Sequence, residues 1–160
     1  MGLWVQGIGV RGEVPDGVDV DRNEDFALSW LAGSGWSWAM LPEDWERDLG
    51  QLAADVATSA ATPVLTFLIA DSDLAIVHGA APGEQAVVAS TGEYEEPGPP
   101  TQARGFAEWT ERHAPAAVPE ERFDEWARTQ FVFAEEGLAH LLAQMGLVEP
   151  TAEPPETLED

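Results

Sequence analysis

The sequence predicts an α+β fold: a mainly antiparallel sheet of hairpin and meander type, packed by three to four helices. The clearest evidence is two apolar runs, 64–70 and 74–80, on either side of the turn sequence Asp71-Ser72-Asp73, a pattern typical of a β-hairpin. Two other regions, 42–60 and 119–145, repeat apolar side chains at helical spacing. The predicted order of strands, one helix, a meander and then helices fits an α+β fold better than a parallel α/β sheet.

The remaining elements follow from local patterns along the chain. An N-terminal strand is expected from alternation broken by glycines, and Trp36 and Trp38 have the spacing of same-face strand residues. Proline followed by acids marks the start of the first helix at Pro42. The Phe131-Val132-Phe133 cluster and Gly137 are expected to divide the last helical region, and Gly146 to end it. The expected segments are strands at 3–10, 64–70, 74–80 and 85–90, and helices at 42–60, 102–113 and 119–145. Within the aromatic region 26–40, Trp36 and Trp38 are expected on a strand that pairs with Leu28 and Trp30 across the turn at 33–35.

Length and composition predict one domain over residues 1–148, followed by a disordered acidic tail over 149–160. The chain has 160 residues and no cysteine, so disulfides and thiolate metal sites are excluded. The N-terminal residues lack the basic and apolar regions of a secretion signal. The longest apolar run, 64–70, is too short for a membrane span. A cytoplasmic protein is therefore expected.

The charge of the chain restricts its partners. Thirty Asp and Glu stand against seven Lys and Arg, for a formal net charge of −23. Such a surface repels nucleic acid and anionic membranes, since binding to either depends on cationic side chains. It attracts a basic protein partner and speeds the encounter. The alternative is that the acidity serves only solubility or adaptation to a salty solvent.

Two motifs resemble ligand sites, but each lacks an essential part. Residues 7–12 match GxGxxG, yet the loop residues Glu13-Val14-Pro15 follow where a dinucleotide site needs a helix N-terminus. Residues 19–30 begin like a calcium loop, but the glycine and the final acid of that motif are missing. The three histidines show no metal-ligand spacing. We therefore expect no catalytic residue, metal or cofactor.

Two groups of residues are candidates for partner binding. Acids on predicted turns and loops are the first group, because exposed acids can meet a basic partner. Trp36 and Trp38 are the second group. Core packing is the favoured explanation for them, because Trp is usually well buried; if they are exposed instead, they are expected to be interface anchors. The candidates are Asp71, Asp73, Glu93, Tyr94, Glu95, Glu96, Trp36 and Trp38.

Residues 71–83 (DSDLAIVHGAAPG) and 133–142 (FAEEGLAHLL) resemble segments of small acidic, uncharacterised actinobacterial proteins. Some proteins of that type look like immunity proteins of polymorphic toxin systems. The resemblance covers about a third of the chain and carries no catalytic residue across. What it implies is a binding role.

The leading hypothesis is therefore an acidic binding protein that neutralises a basic partner, such as a toxin, as an immunity protein does. One alternative is a small-molecule-binding or enzymatic domain with a pocket between the sheet and the C-terminal helices, lined by His78, Trp36 or Trp38. Another is an accessory subunit of a larger assembly, for which an exposed apolar patch would be evidence. The sequence leaves oligomeric state open.

Overall fold

A computed structural model describes residues 4–18, 35–42, 44, 46–91, 100–150 and 154–158. Over these residues the protein is an α+β fold with five strands in one antiparallel sheet and four helices. The elements are β1 (Val5–Arg11), β2 (Trp36–Met40), α1 (Leu49–Ala60), β3 (Val64–Ala70), β4 (Leu74–Ala80), β5 (Val87–Ser90), α2 (Ala103–His113), α3 (Glu120–Arg128) and α4 (Ala134–Gln144).

The strands lie in the order β2-β1-β3-β4-β5, and every neighbouring pair is antiparallel. The predicted hairpin is confirmed as β3 and β4, in which Ala70 pairs with Leu74. The N-terminal strand β1 lies between β2 and β3. This arrangement places the start of β1, the end of β3 and the start of β4 at one end of the sheet.

Helices α2, α3 and α4 cover one face of the sheet, here called the three-helix face. Its strand residues include Leu65, Phe67 and Val77, and the helices contribute a core of large side chains. The indole N–H of Trp126 in α3 donates to the carbonyl oxygen of Gly137 in α4 at 2.9 Å, which ties these two helices together. The fully buried helix residues are Phe106, Phe123, Leu138, Leu142 and, 1% exposed, Trp109 and Leu141.

The glycines of the GxGxxG match have a packing role. A Cβ on Gly7 would collide with the ring of Phe67, and a Cβ on Gly9 would collide with the ring of Trp38. Both glycines let an aromatic ring lie directly on the backbone of β1. The match therefore belongs to a strand interior, in agreement with the rejection of a dinucleotide site.

Helix α1 covers the opposite face, here called the α1 face, over β3 and β4. The prediction that this helix starts at Pro42 is wrong, because it begins at Leu49. Asp48 is the N-cap, and its side chain accepts a hydrogen bond from the backbone N–H of Gln51 at 3.0 Å. The described residues from the end of β2 up to this cap, 41, 42, 44 and 46–48, are not helical.

The last helical region is divided as predicted, into α3 and α4, and Gly146 follows the cap of α4 with a φ of 78°. Residues 154–158 belong to the tail for which composition predicts disorder. In the structure they lie along residues 130–132, with a β-bridge between Phe131 and Thr157. Amino-acid composition cannot predict this contact, because the contact is made by backbone groups alone.

Within the described residues, no helix has the length and apolar character needed to cross a lipid bilayer.

Candidate functional site

The turn between β3 and β4 is the centre of the candidate site. Asp71 and Ser72 adopt left-handed backbone conformations, with φ of 52° and 56°. Asp tolerates this region better than most residues, because its short side chain can hydrogen-bond locally. The N–H of Asp73 closes the turn by donating to the carbonyl of Ala70 at 3.0 Å. Asp71 is half-exposed and Asp73 is exposed.

The turn is fixed to the start of α4. The N–H of Ala134 donates to the carbonyl of Ser72 at 2.7 Å, and the hydroxyl of Ser72 donates to Oε1 of Glu135 at 3.0 Å. Glu135 and Glu136 form the acidic first turn of α4. The structure therefore adds two carboxylates from about 60 residues further along the chain to those of Asp71 and Asp73.

The loop after β5 starts near the same turn. Thr91 is the last described residue before it, and its hydroxyl accepts a hydrogen bond from the N–H of Ala75 at 3.1 Å. Thr91 thus lies beside the first residues of β4. The four predicted partner-binding residues of this loop lie outside the described residues; they are Glu93, Tyr94, Glu95 and Glu96.

Two exposed aromatic side chains flank the turn. Trp4 is 49% exposed and directly precedes Val5, which pairs with Ile69 near the end of β3. Phe133 is 45% exposed and directly precedes Ala134, whose N–H binds the turn. Together with Asp71, Asp73, Glu135 and Glu136, these two side chains make up what we call the turn-end surface.

The arginines whose ion pairs are seen in the structure lie elsewhere. Across the described ranges, ion pairs join Arg104 to Glu108, and both Arg112 and His113 to Glu84. All three involve α2. Asp73, Glu135 and Glu136 form no ion pair with any described residue. Asp73 and Glu136 are exposed, whereas one carboxylate oxygen of Glu135 is buried and the other accepts from Ser72, so Asp73 and Glu136 are the acids presented beside the exposed aromatic rings.

The predicted anchors Trp36 and Trp38 lie at a different place. Trp36 is 6% exposed and pairs with Arg11, so it sits at the other end of β1 from Trp4. Its ring stacks on that of Trp38, with 6.2 Å between centroids, and Trp38 is half-buried against Phe67. Both rings pack on the three-helix face. A binding role for them stays a prediction, and the structure does not place them with Asp71 and Asp73.

His78 lies on the α1 face, so it cannot share a pocket with Trp36 or Trp38, which lie on the three-helix face. Burial lowers the pKa of His78, and the nearby charge of Asp48 opposes this effect only in part. Its Nδ1 is buried without a hydrogen-bond partner. The neighbouring hydroxyl of Thr66 donates to the carbonyl of Leu49 at 2.8 Å and is therefore engaged in tying α1 to the sheet. His78 thus has no activated nucleophile beside it.

The space between the sheet and the C-terminal helices is occupied by core side chains such as Phe106, Trp109 and Phe123. This packing counts against the ligand pocket considered there. In the part of the chain that the structure describes, no group of three or more His, Cys, Asp or Glu side chains could hold a metal ion.

Sequence reasoning identified the acids of the turn but missed Trp4, Phe133 and the two glutamates of α4. One signal was present for Phe133. Three consecutive apolar residues, Phe131-Val132-Phe133, are more than one side of an extended segment can bury, because successive side chains point to opposite sides. No comparable signal marks Trp4, since its position beside the turn depends on which strand pairs with β1.

Comparison of the chain with protein-family models, with curated proteins and with solved structures gave no match.

Proposed function

We propose that this protein is an acidic binding protein that neutralises a basic protein partner, as the immunity protein of a secreted toxin does. The observation that carries the proposal is the turn-end surface. It combines acids from two parts of the chain with two aromatic side chains that remain about half exposed.

Charge supports the first step of binding. The net charge of −23 attracts a basic protein from a distance, and exposed carboxylates such as Asp73 and Glu136 direct it to the turn-end surface. Attraction of this kind acts mainly on the association rate and weakens as salt is added.

The aromatic side chains support the second step. A large aromatic ring that enters a pocket on the partner loses most of its remaining exposure, and such residues dominate binding energies at interfaces. Trp4 and Phe133 have 49% and 45% of their surface still to bury. They are therefore expected to slow dissociation, which charge alone does not do.

The proposal is tested by affinity capture on four columns at low salt, using lysate of the cells that make the protein. The columns carry the natural chain, a charge variant (Asp73→Asn with Glu136→Gln), an apolar variant (Trp4→Ala with Phe133→Ala) and a matched control. The control, Glu111→Gln with Asp124→Asn, removes two exposed acids from α2 and α3. It therefore changes the net charge as much as the charge variant does.

We expect one basic protein on the natural and control columns, eluted by salt, and much less of it on the other two. A protein retained equally by all four columns would contradict the proposal. If only the apolar variant failed and retention did not depend on salt, the alternative of an accessory subunit held by apolar contacts would be favoured.

A further inference from the structure

Residues 154–158, here called the tail strand, lie beside residues 130–132, here called the docking strip. The N–H of Val132 donates to the carbonyl of Glu156 at 3.0 Å, and the N–H of Leu158 donates to the carbonyl of Gln130 at 2.8 Å. Phe131 and Thr157 form an antiparallel bridge between these bonds. The docking strip therefore already accepts an extended peptide segment through its backbone.

The docking strip is held in place without the tail strand. The ring of Phe131 packs on Gly137 so closely that a Cβ there would collide with it. The residue before the strip, Thr129, donates its hydroxyl to the carbonyl of Glu125 in α3 at 2.6 Å. The segment after it is fixed by the bond from Ala134 to Ser72. The strip thus presents a preformed edge next to the turn-end surface, and an unpaired edge of this kind is a template for another strand.

The tail strand contributes little beyond its backbone. Four of its five residues are exposed, Pro155 is half-buried, and Leu158 is 59% exposed. Glu156 is exposed and forms no ion pair with any described residue, so no charge contact is seen to hold the tail strand in place. The contacts seen to hold the tail strand are thus its two backbone hydrogen bonds and the bridge at Thr157.

We propose that the tail strand is a displaceable occupant of the docking strip, and that an extended cationic segment of the partner protein replaces it. The inference rests on the proposed function, because it assigns the partner a second point of contact beside the turn-end surface. The incoming segment forms the same two backbone hydrogen bonds. Its lysine or arginine side chains are attracted to the acidic chain, an attraction that the acidic tail strand cannot supply, and this difference favours displacement.

The test measures binding of a fluorescently labelled peptide of alternating lysine and threonine to full-length chains. Leu158→Pro removes the N–H that donates to Gln130 and leaves the net charge unchanged. Leu158→Ala is the matched control, since it removes the same side chain and keeps the N–H. A third chain neutralises the tail with Glu153→Gln, Glu156→Gln, Glu159→Gln and Asp160→Asn.

We expect the Leu158→Pro chain to bind the peptide at least about threefold more tightly than the Leu158→Ala chain, because more of it has a vacant strip. The neutralised chain is expected to bind more weakly than the natural chain, because attraction is lost. Equal affinity of the Leu158→Pro and Leu158→Ala chains would overturn the inference. The proposed function would still stand in that case if the capture experiment gave the four results expected of it.

Hydrogen exchange at the Val132 amide supplies a second readout that does not depend on affinity. This amide is expected to exchange slowly in the natural chain, faster in Leu158→Pro, and slowly again when the peptide saturates Leu158→Pro. Peptide binding that leaves the Val132 amide unprotected would place the peptide elsewhere and contradict the proposal.

Discussion

The two turns at opposite ends of β4 differ in how their acidic side chains are engaged. At the end where β4 leads into β5, Glu84 accepts hydrogen bonds from Arg112 at 2.6 Å and His113 at 2.7 Å. At the other end, the turn carrying Asp73 meets Glu135 and Glu136, and these three acids have no ion pair among the described residues. A net charge taken from composition hides this difference. Glu84 holds the loop between β4 and β5 to α2, whereas Asp73 and Glu136 at the turn end remain exposed.

The largest effect is expected from Gly137→Ala, which disturbs the support of the turn end. The added Cβ collides with the ring of Phe131, so either the ring or the helix must move. Overpacking of this kind costs about 1–3 kcal/mol of unfolding free energy. The matched control is Gly105→Ala in α2, where the nearest atom is Cγ1 of Val87 at 3.3 Å. Alanine favours helix, so we expect the control to stay within about 1 kcal/mol of the natural chain in urea unfolding.

A second prediction concerns His78, the buried histidine of the α1 face. Because burial lowers its pKa in the folded protein, the unfolded chain takes up the proton first as the pH falls. Above the ordinary histidine pKa, titration of His78 therefore does not change the unfolding free energy. As the pH falls from the ordinary pKa to the lowered pKa, the unfolding free energy decreases by about 1.4 kcal/mol per pH unit. His78→Gln is expected to remove this loss. Unfolding free energies of both chains between about pH 7 and pH 5 would show it, and parallel curves would contradict it.

A smaller effect is expected from Glu84→Gln at the paired end. Burial raises the pKa of Glu84, but the hydrogen bond from His113 and the charge of Arg112 outweigh burial and lower it. The lowered pKa means that Glu84 stabilises the fold at neutral pH and that this contribution is lost as acid protonates it. Its side chain is 35% exposed, so solvent screening limits the loss in Glu84→Gln to about 1 kcal/mol or less. The difference between the two chains should vanish in acid.

The smallest effect on stability is expected for Asp73→Asn with Glu136→Gln at the turn end. Since these acids make no ion pair with a described residue, unfolding free energy should change by no more than about 0.5 kcal/mol. If this double variant lost more unfolding free energy than Glu84→Gln does, the proposed difference between the two ends would be contradicted. Thermal unfolding at low salt would reveal it.

Local sequence patterns predicted much of this fold, because the hairpin, the division between α3 and α4 and the cap at Gly146 each depend on neighbouring residues. The start of α1 was misplaced because Pro42 with the acids after it and Asp48 are both patterns that begin helices, whereas in the structure Asp48 is the N-cap and its side chain accepts from the N–H of Gln51. Local sequence patterns could not predict the turn-end surface. The pairing of β1 with β3 brings Trp4 to the end of the sheet that carries Asp73, and the hydrogen bond from Ala134 of α4 to Ser72 brings Glu136 to the same end.

The most direct test of a partner-binding turn end is the association rate of the captured basic protein at several salt concentrations. Its rate constants should be compared for the natural chain, the charge variant Asp73→Asn with Glu136→Gln, and the control Glu111→Gln with Asp124→Asn. We expect the charge variant to associate about threefold to tenfold more slowly at low salt and to converge with the natural chain at high salt. The control should remain close to the natural chain throughout. Equal slowing in both variants would show that the partner responds to total charge alone, and would contradict a binding surface at the turn end.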